Sequence, residues 1–162
     1  MPIQIIWGND TKKCESEIEK IINSNISNQW ASFNLSKLDG NDDNQVFKAL
    51  DEMQNAPFGD GSRVILLKNN PIFNIKNDKF AAKFESSVQN IPDSNFLILF
   101  GVNKPDSRMK TTKFLNKLIK SKKAFESSYN LPSIWDYESQ VRYVEEISRN
   151  LNINLDKNAA QA

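Results

Sequence analysis

Side chains that ligate metals, attack carbonyls or shuttle protons near neutrality are scarce in this chain. It contains no histidine and a single cysteine, Cys14. Ser-His-Asp and Cys-His catalysis and imidazole metal ligation are therefore excluded. One cysteine also excludes an internal disulfide and any multi-cysteine zinc or iron–sulfur site, and fits a reducing cytosol. The five glycines are followed by Asn9, Asn41, Asp60, Ser62 and Val102. None precedes a lysine, so a Gly-Lys-Ser/Thr phosphate loop is impossible. The adjacent acids Asp42-Asp43 and Glu145-Glu146 fall at helix starts or on outer faces, where neighbours in sequence do not face one another. They make no acid–base pair.

Two other features could act without covalent chemistry. Ala56-Pro57-Phe58-Gly59-Asp60-Gly61 lies between a helical pattern and an apolar strand. It reads either as a helix terminator whose aromatic folds inward, or as a rigid apolar tip. An aromatic held by proline loses little entropy on docking and suits a partner's pocket. The second feature is charge segregation. Residues 1–60 carry five Lys/Arg against ten Asp/Glu, whereas residues 104–123 carry eight Lys/Arg against the single acid Asp106. Lys110, Lys113, Lys117 and Lys120 share one helix face, opposite Phe114, Leu118 and Ile119. That face is either simply solvated or meets an acidic partner such as nucleic acid. No interleaved aromatic supports reading of bases. Cys14 falls on an apolar helix face and reads as packing; Trp7, Trp30 and Trp135 read as core or domain-junction residues.

The elements that must position these residues alternate. Ile3–Trp7 is a compact apolar strand that stops at Gly8. Cys14, Ile18, Ile21 and Ile22 give the next helix one apolar face, capped by Asn9, Asp10 or Thr11. Residues 30–35 read as a second strand. A helix opens at Asp42 and Asp43 and turns Val46, Phe47, Leu50 and Met53 inward, ending at Pro57. RVILLK at 63–68 and FLILF at 96–100 read as central strands of a covered parallel sheet. Helices are expected over 78–89 and 109–120, and a last strand over 123–127. This rhythm predicts an α/β fold with a mostly parallel sheet and helices on both faces. From Asp136 the character changes: Val141, Val144, Ile147 and Leu151 mark a new helix, and residues 155–162 begin an apolar segment that does not finish. The 162 residues, 39% hydrophobic and 25% charged, can bury a core. No run approaches the roughly 20 apolar residues of a membrane span, and the first ten lack a signal peptide's pattern. A cytoplasmic protein without membrane attachment is expected.

In a doubly wound sheet, ligands bind beyond the carboxyl ends of the strands. Here the turn at Gly8-Asn9-Asp10 has one glycine, and Lys68-Asn69-Asn70 and Gly101-Val102-Asn103-Lys104 carry no acids to hold magnesium. The arrangement has a nucleotide hydrolase's layout without its catalytic parts.

The order of these pieces, with a strand into Gly-Asn-Asp, a helix ending in Pro-Phe, RVILLKN, FLILFGVNKPDSR and a Trp-containing helix closing at LNINLD, resembles the amino-terminal part of the delta subunit of bacterial DNA polymerase III, a clamp-loader subunit. The resemblance covers essentially the whole chain. It implies a three-layer AAA+-like domain with a five-stranded sheet over 1–134, no working ATP site, no cofactor and no catalysis of its own. The start of a small helical lid domain would follow over 135–162. It implies the sliding clamp and other clamp-loader subunits as partners, with DNA contact within the full complex. The family inserts a Leu-Phe-like pair into the clamp. The matching positions are Pro57 and Phe58, with Ala56 and Met53 nearby, and proline replaces the usual aliphatic residue. Lys104 to Arg108 occupies the place of sensor residues in active relatives and, with Lys110, Lys113 and Lys117, is a candidate for contact with DNA or a neighbouring subunit. Two readings from other classes stand beside it: a nucleic-acid-binding α/β domain using the basic helix 109–123, and a small α/β nucleotide-binding enzyme with an unconventional site.

Overall fold

A computed structural model of the chain describes residues 2–74, 76 and 78–155. The chain divides into two compact units, residues 1–129 and 130–162. The first holds five strands: β1 (Ile3–Trp7), β2 (Leu35–Asp39), β3 (Arg63–Lys68), β4 (Asn95–Gly101) and β5 (Ala124–Ser128). They form one sheet in the order β2-β3-β4-β1-β5, and every pairing is parallel. Its helices are α1 (Thr11–Asn25), α2 (Ala31–Asn34), α3 (Asp43–Glu52), α4 (Asp78–Gln89) and α5 (Lys110–Lys120).

Period-two alternation along the strands sends side chains to two separate cores. On one face Ile6, Val64, Leu66, Ile98 and Phe100 pack with Cys14, Ile18 and Ile22 of α1. On the other, Ile3, Ile5, Ile65, Leu67, Leu97 and Leu99 pack against α3, α4 and α5 through residues such as Val46, Leu50, Phe84 and Leu115. Two covered faces explain why β3 and β4 are almost continuously apolar. Helix starts follow from local caps: Asp10 accepts the Lys13 amide at 3.1 Å for α1, and Asp42 accepts the Asn44 amide at 2.9 Å for α3.

Three expectations are corrected. Residues 30–34 are not strand: a 3-10 turn at Asn28–Trp30 runs into α2, and β2 begins only at Leu35. Phe47 does not point into the core; it is 40% exposed, edge-on to Phe80 at 5.8 Å and beneath the Lys83 ammonium. Trp135, expected in the core or at a domain junction, is 89% exposed, which excludes the core placement. A short 3-10 turn at Pro71–Phe73, which no sequence periodicity marked, buries Ile72 and Phe73.

The second unit contains α6 (Tyr137–Asn150), capped by Asp136, whose carboxylate accepts the Ser139 amide and hydroxyl. These hydrogen bonds hold the Asp136 carboxyl below its ordinary value. The apolar residues expected on this helix are present but largely open, with Val144, Ile147 and Leu151 exposed. Residues 156–162, where the unfinished apolar segment was expected, lie outside the described residues. Among the described residues no helix is long and apolar enough to cross a membrane.

Candidate functional site

Between α3 and β3, residues 53–62 leave the sheet as a loop without regular structure. Three asparagines from other segments fasten it. Asn95, fully buried, donates to the carbonyls of Met53 and Asn55 at 2.8 and 2.7 Å. Asn34, also fully buried, accepts the Phe58 amide at 2.7 Å and donates to the Phe58 carbonyl at 2.9 Å. Asn25 accepts the Ser62 amide through its own carbonyl at 3.2 Å. Beneath the loop, Glu52 takes a short hydrogen bond from Ser36, pairs with Arg63 at 3.3 Å and lies 3.6 Å from Lys48. Burial pushes the Glu52 pKa up, but the hydrogen bonds from Ser36 and Arg63 outweigh it and hold the group below its ordinary value.

This scaffold turns Phe58 outward: its ring is 56% exposed. Ala56 is exposed as well, Pro57 is half-buried, and Met53 is fully buried. Met53 therefore cannot meet a partner as the sequence reading had it. Helical spacing carries it inward, where it anchors the loop from below. Phe58 does not stand alone. Its ring is edge-on to Trp30 at 5.1 Å and tilted against Phe33 at 5.2 Å, and Trp30 and Phe33 are 6.3 Å apart. Gly59 makes this approach possible. It has φ +65°, and a Cβ there would come within 2.5 Å of the Trp30 indole. Phe33, Asn34 and Asn95 were not expected at the tip, and Trp30 was expected only in the core or at a domain junction. The spacing of Trp30 and Phe33, three apart with asparagine following, was the available signal for a short helical turn.

The carboxyl ends of the strands look different. Gly8 has φ +147°, and a Cβ at this position would lie 1.8 Å from the carbonyl oxygen of Tyr129. That same oxygen accepts the Asp10 amide at 3.1 Å. The space over β1 is thus filled by main chain, and the start of α1 already carries a carboxylate. Both disfavour a phosphate, which needs free amides at a helix start and no competing negative charge. Beyond β3 and β4 a groove of about 410 Å³ is lined by amides, among them Asn41, Asn69, Asn70, Asn74 and Asn103. The Asp39 carboxylate accepts the Asn41 amide and the Asn69 side chain, which hold its pKa below the ordinary value. Cys14 is buried, its thiol pKa pushed up first by burial and then by Asp10.

The basic segment is partly neutralised within itself. Arg108 clasps Asp106 with Nη2 at 2.8 Å and Nε at 3.0 Å, and this pairing lowers the Asp106 pKa to about 2. Lys110 pairs with Asp78 at 2.9 Å, and the Lys104 ammonium lies 5.9 Å from the Trp7 ring centre. Lys113, Lys117, Lys120, Lys122 and Lys123 are exposed and have no ion-pair partner among the described residues.

Residues 5–125 match the profile of the family described as "DNA polymerase III, delta subunit". The chain belongs to that family. Among solved structures, it is similar to the Bacillus subtilis DNA clamp loader delta protein (YqeN), with a TM-score of 0.76 at 20% identity over 99% of this chain. The chain spans 47% of the length of that protein. A Walker-type ATPase of Pyrococcus abyssi also aligns over 99% of the chain and 57% of its own, at 11% identity and a TM-score of 0.47. A search of curated protein sequences gives no match. The five-stranded parallel sheet with helices on both faces is the expected α/β fold.

Proposed function

We propose that this chain is the clamp-binding part of a clamp-loader subunit in DNA replication, and that Phe58 inserts into an apolar pocket on the sliding clamp. The observation that carries this reading is a large ring, more than half exposed, on a loop whose main chain is fixed from three sides. Exposing such a ring is unfavourable in an isolated protein, and fixing its backbone in advance reduces the entropy lost on docking. Pro57 narrows the loop's freedom further, and Ala56 adds an exposed apolar methyl beside it. Opening then needs no chemistry here. Binding energy at the tip is coupled to an altered clamp conformation if the open ring presents the better pocket. The main chain over β1 and the carboxylate of Asp10 support a subunit that hydrolyses no ATP, working with other clamp-loader subunits. Phe58→Ala is expected to weaken binding to the sliding clamp by about 2 kcal/mol or more, roughly thirtyfold. Unchanged affinity by surface plasmon resonance would remove this function.

The exposed lysines favour a second contact of the same subunit. Lys113 and Lys117, with Lys120, Lys122 and Lys123, form a positive surface without ion-pair partners among the described residues, which suits phosphate or an acidic neighbouring subunit. Lys110 contributes less than the sequence count implied, because it pairs with Asp78, an acid outside the counted stretch.

A further inference from the structure

We infer that Phe33 is a second anchor of the docking tip and that Trp30 is its positioning residue. This inference rests on the clamp-binding reading of Phe58. Phe33 comes from α2, far from Phe58 in sequence, yet the two rings are 5.2 Å apart and 58% and 56% exposed. Each is the kind of side chain that concentrates binding energy, and they form one apolar patch. The exposed polar residues Ser32, Gln54, Asn55 and Asp60 adjoin it in sequence, an arrangement like the apolar centre and polar rim of an interface.

The two rings are also one mechanical unit. Asn34, immediately after Phe33, holds both the amide and the carbonyl of Phe58. A partner that seats one ring meets the other in fixed register. The pocket implied on the clamp is an apolar slot wide enough for two tilted rings, lined by aliphatic or thioether side chains and without a required charge. Trp30 is half-buried and touches both rings, at 5.1 and 6.3 Å, so it sets the angle at which they are presented.

The test uses the whole 162-residue chain against the sliding clamp of the same cell, with the melting temperature of each variant recorded. Phe58→Ala is expected to lose about thirtyfold in affinity and Phe33→Ala about tenfold. The double variant should lose less than the product of the two, because contacting residues couple. Trp30→Ala should weaken binding with both anchors in place, and Trp30→Phe should restore it. A loss with Phe58→Ala alone overturns this inference and leaves the clamp-binding function standing. No loss with either phenylalanine variant overturns the function itself. Trp30→Ala binding like the parent, or Trp30→Phe failing to rescue, overturns the positioning role.

Discussion

Replacing Asn34 should do more damage than its small size suggests. The side chain is fully buried and makes two hydrogen bonds to one residue, Phe58, at 2.7 and 2.9 Å. Each contributes about 1 kcal/mol net, and an unsatisfied partner left dry costs up to about 3. Both hydrogen bonds are only part-buried, so water can reach the Phe58 main chain and the lower figure applies. Asn34→Ala should therefore cost about 2 kcal/mol, seen as a melting point lowered by roughly 4–8 °C. It should also weaken clamp binding, since the loop must then be ordered on docking. Asn34→Asp sharpens the test. The charged carboxylate can accept the Phe58 amide but opposes the Phe58 carbonyl, and burial would raise its pKa above the unfolded value of about 3.9. A raised folded pKa means its favourable contribution is present below the unfolded pKa and lost as pH rises through the folded one. The Asp variant should then be weak at pH 7 and recover toward the parent as pH falls toward about 4. An unfolding free energy from urea titration of Asn34→Ala within about 0.5 kcal/mol of the parent would refute the idea that these two bonds hold the tip.

Gly59→Ala should destabilise by about 1–2 kcal/mol and displace Trp30, because it combines a positive φ with a 2.5 Å approach to the indole. A shifted tryptophan emission spectrum without loss of the fold checks this. Glu52→Gln should cost about 1–2 kcal/mol through weakened contact with Ser36 and Arg63. In the parent, the lowered Glu52 pKa means this contribution is present above the unfolded glutamate value of about 4.3 and fades as pH falls below it. The Gln variant should lack that part of the acid dependence in urea titrations. Lys113→Ala with Lys117→Ala should reduce the salt slope of DNA binding by about 2. A slope equal to the parent's assigns the basic surface to a protein neighbour instead.

Long-range consequences separate what was legible in the residues from what was not. The apolar runs of β3 and β4 and the spacing of Cys14, Ile18 and Ile22 declare a two-faced sheet, because covered strands and a one-sided helix have unlike periods. Pro57 signalled that the helix must stop, but α3 already ends at Glu52 and caps at Met53, before the proline. Residues 30–34 misled, since alternating aromatic and small residues look β-like, and a four-residue helix is too short to show its own period. What holds them helical is tertiary: Asn34 reaches the main chain of Phe58, 24 residues ahead. The same distance hid Phe33 and Trp30 from the candidate tip. Met53 carried two conflicting signals, proximity to the tip and inward helical spacing, and packing decided for the second. Charge counting over 104–123 overstated the basic segment because it could not see Lys110 pairing with Asp78, an acid outside that stretch.

The carbonyl of Tyr129 over Gly8 also bears on what it would take to build a phosphate site at this strand end. Side chains can be exchanged one at a time, but here the obstruction is main chain from the end of the β5 edge, bonded to Trp7 and Asp10. Writing a lysine-bearing phosphate loop into the turn after β1 would therefore produce a strained turn and no ATPase. Making room for a phosphate there means rerouting the segment that leaves β5, and the changes required would have to arrive together.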